Sequence, residues 1–113
     1  MSFASGLVLV RVDALVNPCA IVVTPDAAQP FVSIIVTRRG DRIAAFRNRC
    51  PHAGYPLQRA DGRIVVQEGR YMVCGAHGAS FALDDGACAG GPCNGDPLER
   101  VDIEISGGMV ITR

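Results

Sequence analysis

The chain has 113 residues, 49% of them apolar, with 13 glycines and 7 prolines. That is enough for one domain with one core, built from short strands and turns in preference to long helices. Its formal net charge is +0, which gives no case for wrapping nucleic acid, because that needs a clustered basic surface. The charge is uneven: residues 1–59 carry seven Arg against three Asp, residues 60–113 four Arg against eight Asp and Glu, or +4 and −4. A mixed solvated surface is the simpler reading of this and a polarised docking face the sharper one.

The opening stretch, Met1 to Arg11, lacks a basic leading region and has only a short apolar run at Leu7-Val8-Leu9-Val10. It therefore reads as neither a signal peptide nor a membrane span. A cytoplasmic location is expected, where cysteines are more often metal ligands than disulfides. Leu7 to Val12 and Ala20 to Thr24 are candidate strands. Residues 31–47 read as a half-buried hairpin: Val32, Ile34 and Val36 alternate with Ser33, Ile35 and Thr37, and Arg38-Arg39-Gly40-Asp41 is a turn before Ile43 to Arg47. The section 48–98 is rich in Gly, Pro, Cys and His, with short apolar runs at Ile64-Val65-Val66, Tyr71-Met72-Val73 and Ser80 to Leu83. Val101, Ile103 and Ile105 then alternate with Asp102, Glu104 and Ser106, and Gly107-Gly108 turns into Met109 to Thr112 as a closing hairpin. The fold class expected is all-β: one domain over 1–113, with base sheets from about 1–47 and 97–113 framing a loop-rich insert over about 48–96.

Chemistry is concentrated in that insert. The chain has two histidines, and each follows a cysteine closely, in Cys50-Pro51-His52 and Cys74-Gly75-Ala76-His77. One Cys-x-His would be weak evidence of a metal site; two such pairs are strong. Two thiolates on one iron and two imidazoles on the other make the ligand set of a sulfide-bridged Rieske [2Fe-2S] centre. Structural zinc takes the same four atoms, but zinc fingers pair Cys with Cys and His with His on separate elements, whereas each pair here is mixed. A zinc-stabilised binding module is the alternative this leaves open.

Residues 50–57, Cys-Pro-His-Ala-Gly-Tyr-Pro-Leu, resemble the first box of the Rieske family. Residues 74–86, Cys-Gly-Ala-His-Gly-Ala-Ser-Phe-Ala-Leu-Asp-Asp-Gly, resemble its second. Gly91-Pro92 resembles the proline loop that covers the cluster, and Pro97-Leu98 the exit into the base sheets. The likeness spans about residues 31–113. It implies stacked antiparallel sheets with a cluster-binding subdomain at one end, one [2Fe-2S] cluster on Cys50, His52, Cys74 and His77, and imidazole edges near the surface. It also implies a ferredoxin that takes one electron from a reductase and passes it to a terminal oxygenase or similar enzyme, catalysis being the partner's. The small subunit of an assimilatory nitrite reductase is the other role it suggests.

High-potential members of the family tie the two boxes with a disulfide, where this chain has Tyr55 and Ala76. They also place Ser and Tyr hydroxyls near the cluster sulfurs, where it has Ala79 and Phe81. Lost donors imply a potential in the lower part of the roughly −150 to +300 mV Rieske range. Gly75 stands where the family commonly has proline and Ala76 where it often has a bulky aromatic, which implies a less rigid second loop and a less shielded cluster. The stretch 53–73 is somewhat long and implies an extended hairpin around Asp61-Gly62.

Cys19, Cys88 and Cys93 are expected to be plain buried apolar residues, a Cys88–Cys93 disulfide being disfavoured by the compartment. Arg47, Arg49, Arg59 and Arg63 flank the first box as ordinary surface charges or as a contact for an acidic partner. Asp84-Asp85-Gly86 reads as a turn and not as a catalytic carboxylate pair. With both histidines assigned, none is left for a nucleophile's base or for an oxygen-activating iron.

Overall fold

The computed structural model describes residues 5–29, 31–51, 54–76, 78–93 and 95–113. In chain order the strands are β1 (Val8–Arg11), β2 (Cys19–Val23), β3 (Ile34–Arg39), β4 (Arg42–Arg47), β5 (Val65–Gln67), β6 (Tyr71–Val73), β7 (Ser80–Ala82), β8 (Cys88–Gly90), β9 (Ile103–Ser106) and β10 (Met109–Thr112). Among the described residues the one helical element is a single 3-10 turn at Val12–Ala14. The strands form three antiparallel sheets, ordered β1-β10-β9, β2-β3-β4 and β5-β6-β7-β8. The all-β expectation holds, and no helix among the described residues is long and apolar enough to cross a membrane.

The β2-β3-β4 sheet is the middle layer, because successive side chains of a strand point to opposite faces. Ile34, Val36 and Ala45 join Leu9, Leu15, Cys19, Val101 and Val110 in one core. Ile35, Ala44 and Phe46 join Leu57, Met72, Phe81, Leu83 and Leu98 in another, together with Cys50 and Cys74. The hairpin over 31–47 is thus not half-buried as its alternation suggests: Ile34, Ile35 and Val36 are all fully buried. Thr37, the polar member of that run, faces the second core, and its hydroxyl donates to the Leu83 carbonyl at 2.6 Å. A buried hydroxyl needs such a partner, and this one ties β3 to the segment after β7.

β4 pairs with β3 from Arg42 to Arg47, and its other edge is also used. Phe46 bridges Arg100, Arg47 N–H donates to the Glu99 carbonyl at 2.8 Å, and Val101 N–H donates to the Ala45 carbonyl at 2.9 Å. The chain returning from the insert is thereby pinned beside the strand that leads into it. Gly86 closes the β7–β8 turn with φ +73°, and a Cβ there would stand 2.6 Å from the Phe46 ring. The turn therefore sits directly on the core, and only glycine fits it.

The turn at Arg38 to Asp41 is tighter than expected, since β3 runs to Arg39 and β4 resumes at Arg42. β8 has no apolar run to announce it. The stretch 53–73 is shaped by two turns, one closed by Arg59 N–H on the Arg63 carbonyl at 2.8 Å and one linking β5 to β6 by Arg70 N–H on the Gln67 carbonyl at 3.0 Å.

Candidate metal centre

Cys50 lies three residues beyond β4, and Cys74 follows β6 directly. The two loops they open share one backbone pattern. Cys50 N–H donates to the Tyr55 carbonyl and Cys74 N–H to the Ala79 carbonyl, both at 2.7 Å. Gly54 N–H returns to the Cys50 carbonyl at 2.8 Å and Gly78 N–H to the Cys74 carbonyl at 3.0 Å. Each loop is closed by a glycine with positive φ, +74° at Gly54 and +76° at Gly78, a conformation that costs other residues but not glycine. Both cysteines carry free thiols and are 1% exposed, within the same core. His52 and His77, the other two expected ligands, lie outside the described residues.

Four further hydrogen bonds hold the loops. The buried Asn48 side chain accepts from Leu57 N–H at 2.8 Å and donates through Nδ2 to Gln58 Oε1 at 2.6 Å and Ser33 Oγ at 3.0 Å. It thus fixes the return of the first loop against the entry to β3. Gly75 N–H donates to the Leu57 carbonyl at 2.9 Å, joining the second loop to the first, and a Cβ at Gly75 would meet the Arg59 backbone at 3.3 Å. Proline has no N–H to make this bond, and the glycine lets two backbones approach. Nothing in the sequence marks Asn48, because a single Asn after a strand carries no distinguishing signal.

The core around the two thiols is apolar. Ala79 and Phe81 are fully buried in it, and neither side chain carries a hydroxyl. The residues 88–93 lie over the second loop: a Cβ on Gly91, at φ +75°, would stand 2.7 Å from the Gly78 carbonyl oxygen and 2.9 Å from Ala79 Cα.

The remaining cysteines divide. Cys19 is buried in the core on the opposite face of the middle sheet, as a plain apolar residue. Burial pushes its thiol pKa up, against the opposing pull of the Arg38 N–H and charge. Cys88 and Cys93 are joined in a disulfide, which corrects the expectation of two unpaired residues. Strand pairing decides this, because β8 places Cys88 opposite Phe81 while the following turn brings Cys93 back into the same core. Asp84 is held by Arg39 at 3.2 Å and Arg42 at 3.8 Å, and Asp85 accepts from Ala87 N–H at 2.9 Å, so the pair is a turn with structural partners. Arg47 stands 3.9 Å from Glu99. Arg49 lies across Gly54, its Nε 3.6 Å from where a side chain would begin. A groove of about 360 Å³ beside the first loop runs between these arginines and Phe31, which is 97% exposed.

Two buried thiols on two identically closed loops suit a metal group gripped from both sides. They do not suit an isolated reactive cysteine, which needs an electropositive, partly exposed setting. Residues 16–103 match the family model described as the Rieske [2Fe-2S] domain. No curated protein matches the chain. Among solved structures, the chain is similar to the ferredoxin of carbazole 1,9a-dioxygenase from Nocardioides aromaticivorans IC177, with 22% identity, 97% of each chain covered and a TM-score of 0.74. It is similar also to a Sphingomonas yanoikuyae B1 ferredoxin, with 24% identity, 94% of this chain and 95% of that one covered, and a TM-score of 0.72. The terminal oxygenase of carbazole 1,9a-dioxygenase from Novosphingobium sp. KA1 shares the fold at 15% identity and a TM-score of 0.68. There 93% of this chain covers 28% of that one.

Proposed function

Because the chain belongs to the Rieske [2Fe-2S] domain family, we propose that it is a one-electron carrier whose cluster is held by the Cys50 and Cys74 thiolates and the His52 and His77 imidazoles. When bound, the cluster supplies a site that takes up and releases one electron at a time. The observation that carries the reading is the matched closure of the 50–55 and 74–79 loops around two buried thiols. Nearly complete mutual coverage with two ferredoxins supports the carrier role over that of an oxygenase domain.

The chain's own residues then do three things. Asn48 and the Gly75 N–H hold the two loops in one relation, so the ligands need not reorganise when charge arrives. Ala79 and Phe81 surround the site without hydroxyl donors, which leaves the reduced state unassisted and the potential low for the family. Arg49 and the groove beside the first loop offer positive charge to a partner surface. The partners are a reductase and a terminal oxygenase or similar enzyme, met through weak interfaces of less than about 1,200 Å² each. The location proposed is the cytoplasm. The division proposed is one domain, with a base over about 1–47 and 97–113 and a cluster-binding part over about 48–96.

The test is an EPR spectrum of the dithionite-reduced protein with iron and sulfide analysis. A rhombic signal with iron and acid-labile sulfide in equal amounts is expected, and His52→Ala should abolish or alter it. Colourless protein containing zinc would overturn the proposal, as would an unchanged spectrum in His52→Ala.

A further inference from the structure

The Cys88–Cys93 bridge lies in the segment that rests on the second loop, and its two sulfurs differ in access. Cys93 is fully buried in the core that holds Cys50 and Cys74, whereas Cys88, on the last strand of its sheet, is only partly buried. Among the described residues its other restraints are backbone ones: β8 makes two registered pairs with β7, interrupted by an irregularity, Cys93 N–H donates to the Gly91 carbonyl at 2.9 Å, and Asp96 N–H donates to the Cys93 carbonyl at 2.9 Å. Between the cysteines, Gly91 sits against the Gly78 carbonyl and Ala79, the residues that close the second loop. The bridge therefore determines how firmly this segment is held over the Cys74 loop.

We propose that Cys88–Cys93 is a thiol–disulfide exchange site for a dithiol reductant, and that its opening releases the 88–93 segment from the second loop. The incoming thiolate attacks the Cys88 sulfur, forming a mixed disulfide and expelling Cys93 as the thiolate, which takes a proton. The reductant's second thiolate then attacks its own bridged sulfur and frees Cys88, which takes the second proton. Two electrons pass from the dithiol, which becomes a disulfide, to the protein. A one-electron cluster is not a sufficient donor for this step, so the dithiol is required. In the bridged structure Cys93 Sγ lies 3.2 Å from the Gly90 carbonyl oxygen, so an acceptor stands beside the sulfur that exchange would protonate. In the cytoplasm, the location proposed above, a bridge is more often a redox device than a structural staple.

The exchange step stands without the electron-carrier reading; its effect on the cluster rests on the ligand assignment, and the two are read separately. Native holoprotein is treated with excess dithiothreitol or left untreated, alkylated with iodoacetamide, and mapped by mass spectrometry. Cys88 and Cys93 should be unlabelled before treatment and labelled after it. In parallel, loss of the cluster's visible absorbance to a chelator should run several-fold faster after treatment. The Cys88→Ser/Cys93→Ser protein should lose it at that faster rate with or without dithiothreitol, which separates the bridge from any direct action of the reductant on the cluster. Labelling without reductant, or a bridge that opens only in denaturant, would overturn the exchange site. Opening with an unchanged rate of cluster loss would overturn the effect on the loop. Both readouts are independent of electron delivery to any partner.

Discussion

A methyl group added at Gly91 tests how the 88–93 segment covers the site. The new Cβ would stand 2.7 Å from the Gly78 carbonyl oxygen, 2.9 Å from Ala79 Cα and 3.2 Å from Ala79 N. Favourable carbon contacts lie at about 3.5–4.0 Å, so the segment must retreat by roughly half an ångström or more. Gly91 also has φ +75°, which costs alanine about 1 kcal/mol. Gly95 is the matched control, because it has φ +80° and nothing within 4 Å of its Cβ position. Gly95→Ala should lose about 1 kcal/mol, for backbone strain alone. Gly91→Ala should lose about 2–4 kcal/mol, because overpacking against backbone adds about 1–3. In a domain of this size these correspond to falls in Tm of about 4 °C and about 8–16 °C. Far-UV circular dichroism reads the unfolding, and chelator-driven loss of visible absorbance reads the site. Gly91→Ala should accelerate that loss and Gly95→Ala should leave it unchanged. Equal behaviour of the two variants in both assays would refute a direct seating of Gly91 on the second loop.

Asn48→Ala should destabilise the protein by about 2–4 kcal/mol, since it strands the buried Leu57 N–H and removes the bonds to Gln58 and Ser33; a loss below about 1 kcal/mol in thermal unfolding would contradict the role assigned to it. Midpoint potential measured by redox titration should fall in the lower part of the roughly −150 to +300 mV range and rise in Ala79→Ser and Phe81→Tyr; a value well above roughly +100 mV would refute the reasoning from absent donors. That potential should also fall at alkaline pH as ligand imidazoles lose protons, and a flat profile to about pH 10 would argue against histidine ligation. Cys19 has its pKa raised by burial, so the folded state favours the neutral thiol; its contribution to stability is complete below the ordinary thiol pKa and is lost as pH rises through the folded value. Alkylation of Cys19 in native protein should accordingly lag far behind a free thiol at mildly alkaline pH, and equal rates would refute its burial.

The strands with a strong two-residue period were legible from sequence. The closing hairpin was read with its Gly107-Gly108 turn, and both glycines have positive φ. Burial of both faces of β3 was not legible, because alternation of Ile34 and Val36 with Ser33, Ile35 and Thr37 looks the same whether the second face meets solvent or another sheet. Thr37 in particular reads as a solvent-facing residue until the Leu83 carbonyl is placed opposite it. β8 is not legible from sequence, because Cys-Ala-Gly is too short to show a period and forms a strand by pairing with β7. At the site, cysteine and histidine spacing pointed to the boxes, since ligand chemistry restricts residue type. Asn48, Leu57 and the Gly75 N–H did not stand out, because a backbone donor or a single amide has no signature outside its fold. Compartment reasoning misled at Cys88 and Cys93, where proximity is decided by strand pairing.

The middle sheet explains why so small a chain can present two loops in a defined relation. β4 is held on four sides: β3 on one edge, residues 99–101 on the other, and a buried core on each face. Cys50 follows from the end of this strand through Asn48, whose amide grips the returning loop. Cys74 begins where β6 ends, in the sheet packed on the Phe46 face. Each loop is thus held at a point where the chain leaves a fully paired strand, and the Leu57 carbonyl joins the two directly. Loops held at their bases and tied to each other need no long-range rearrangement to keep their thiols in place when charge changes. A carrier that gives up its electron during a brief, weak encounter requires this property. Phe46 should therefore matter to the site through the Gly86 turn and the core it shares with Cys50 and Cys74.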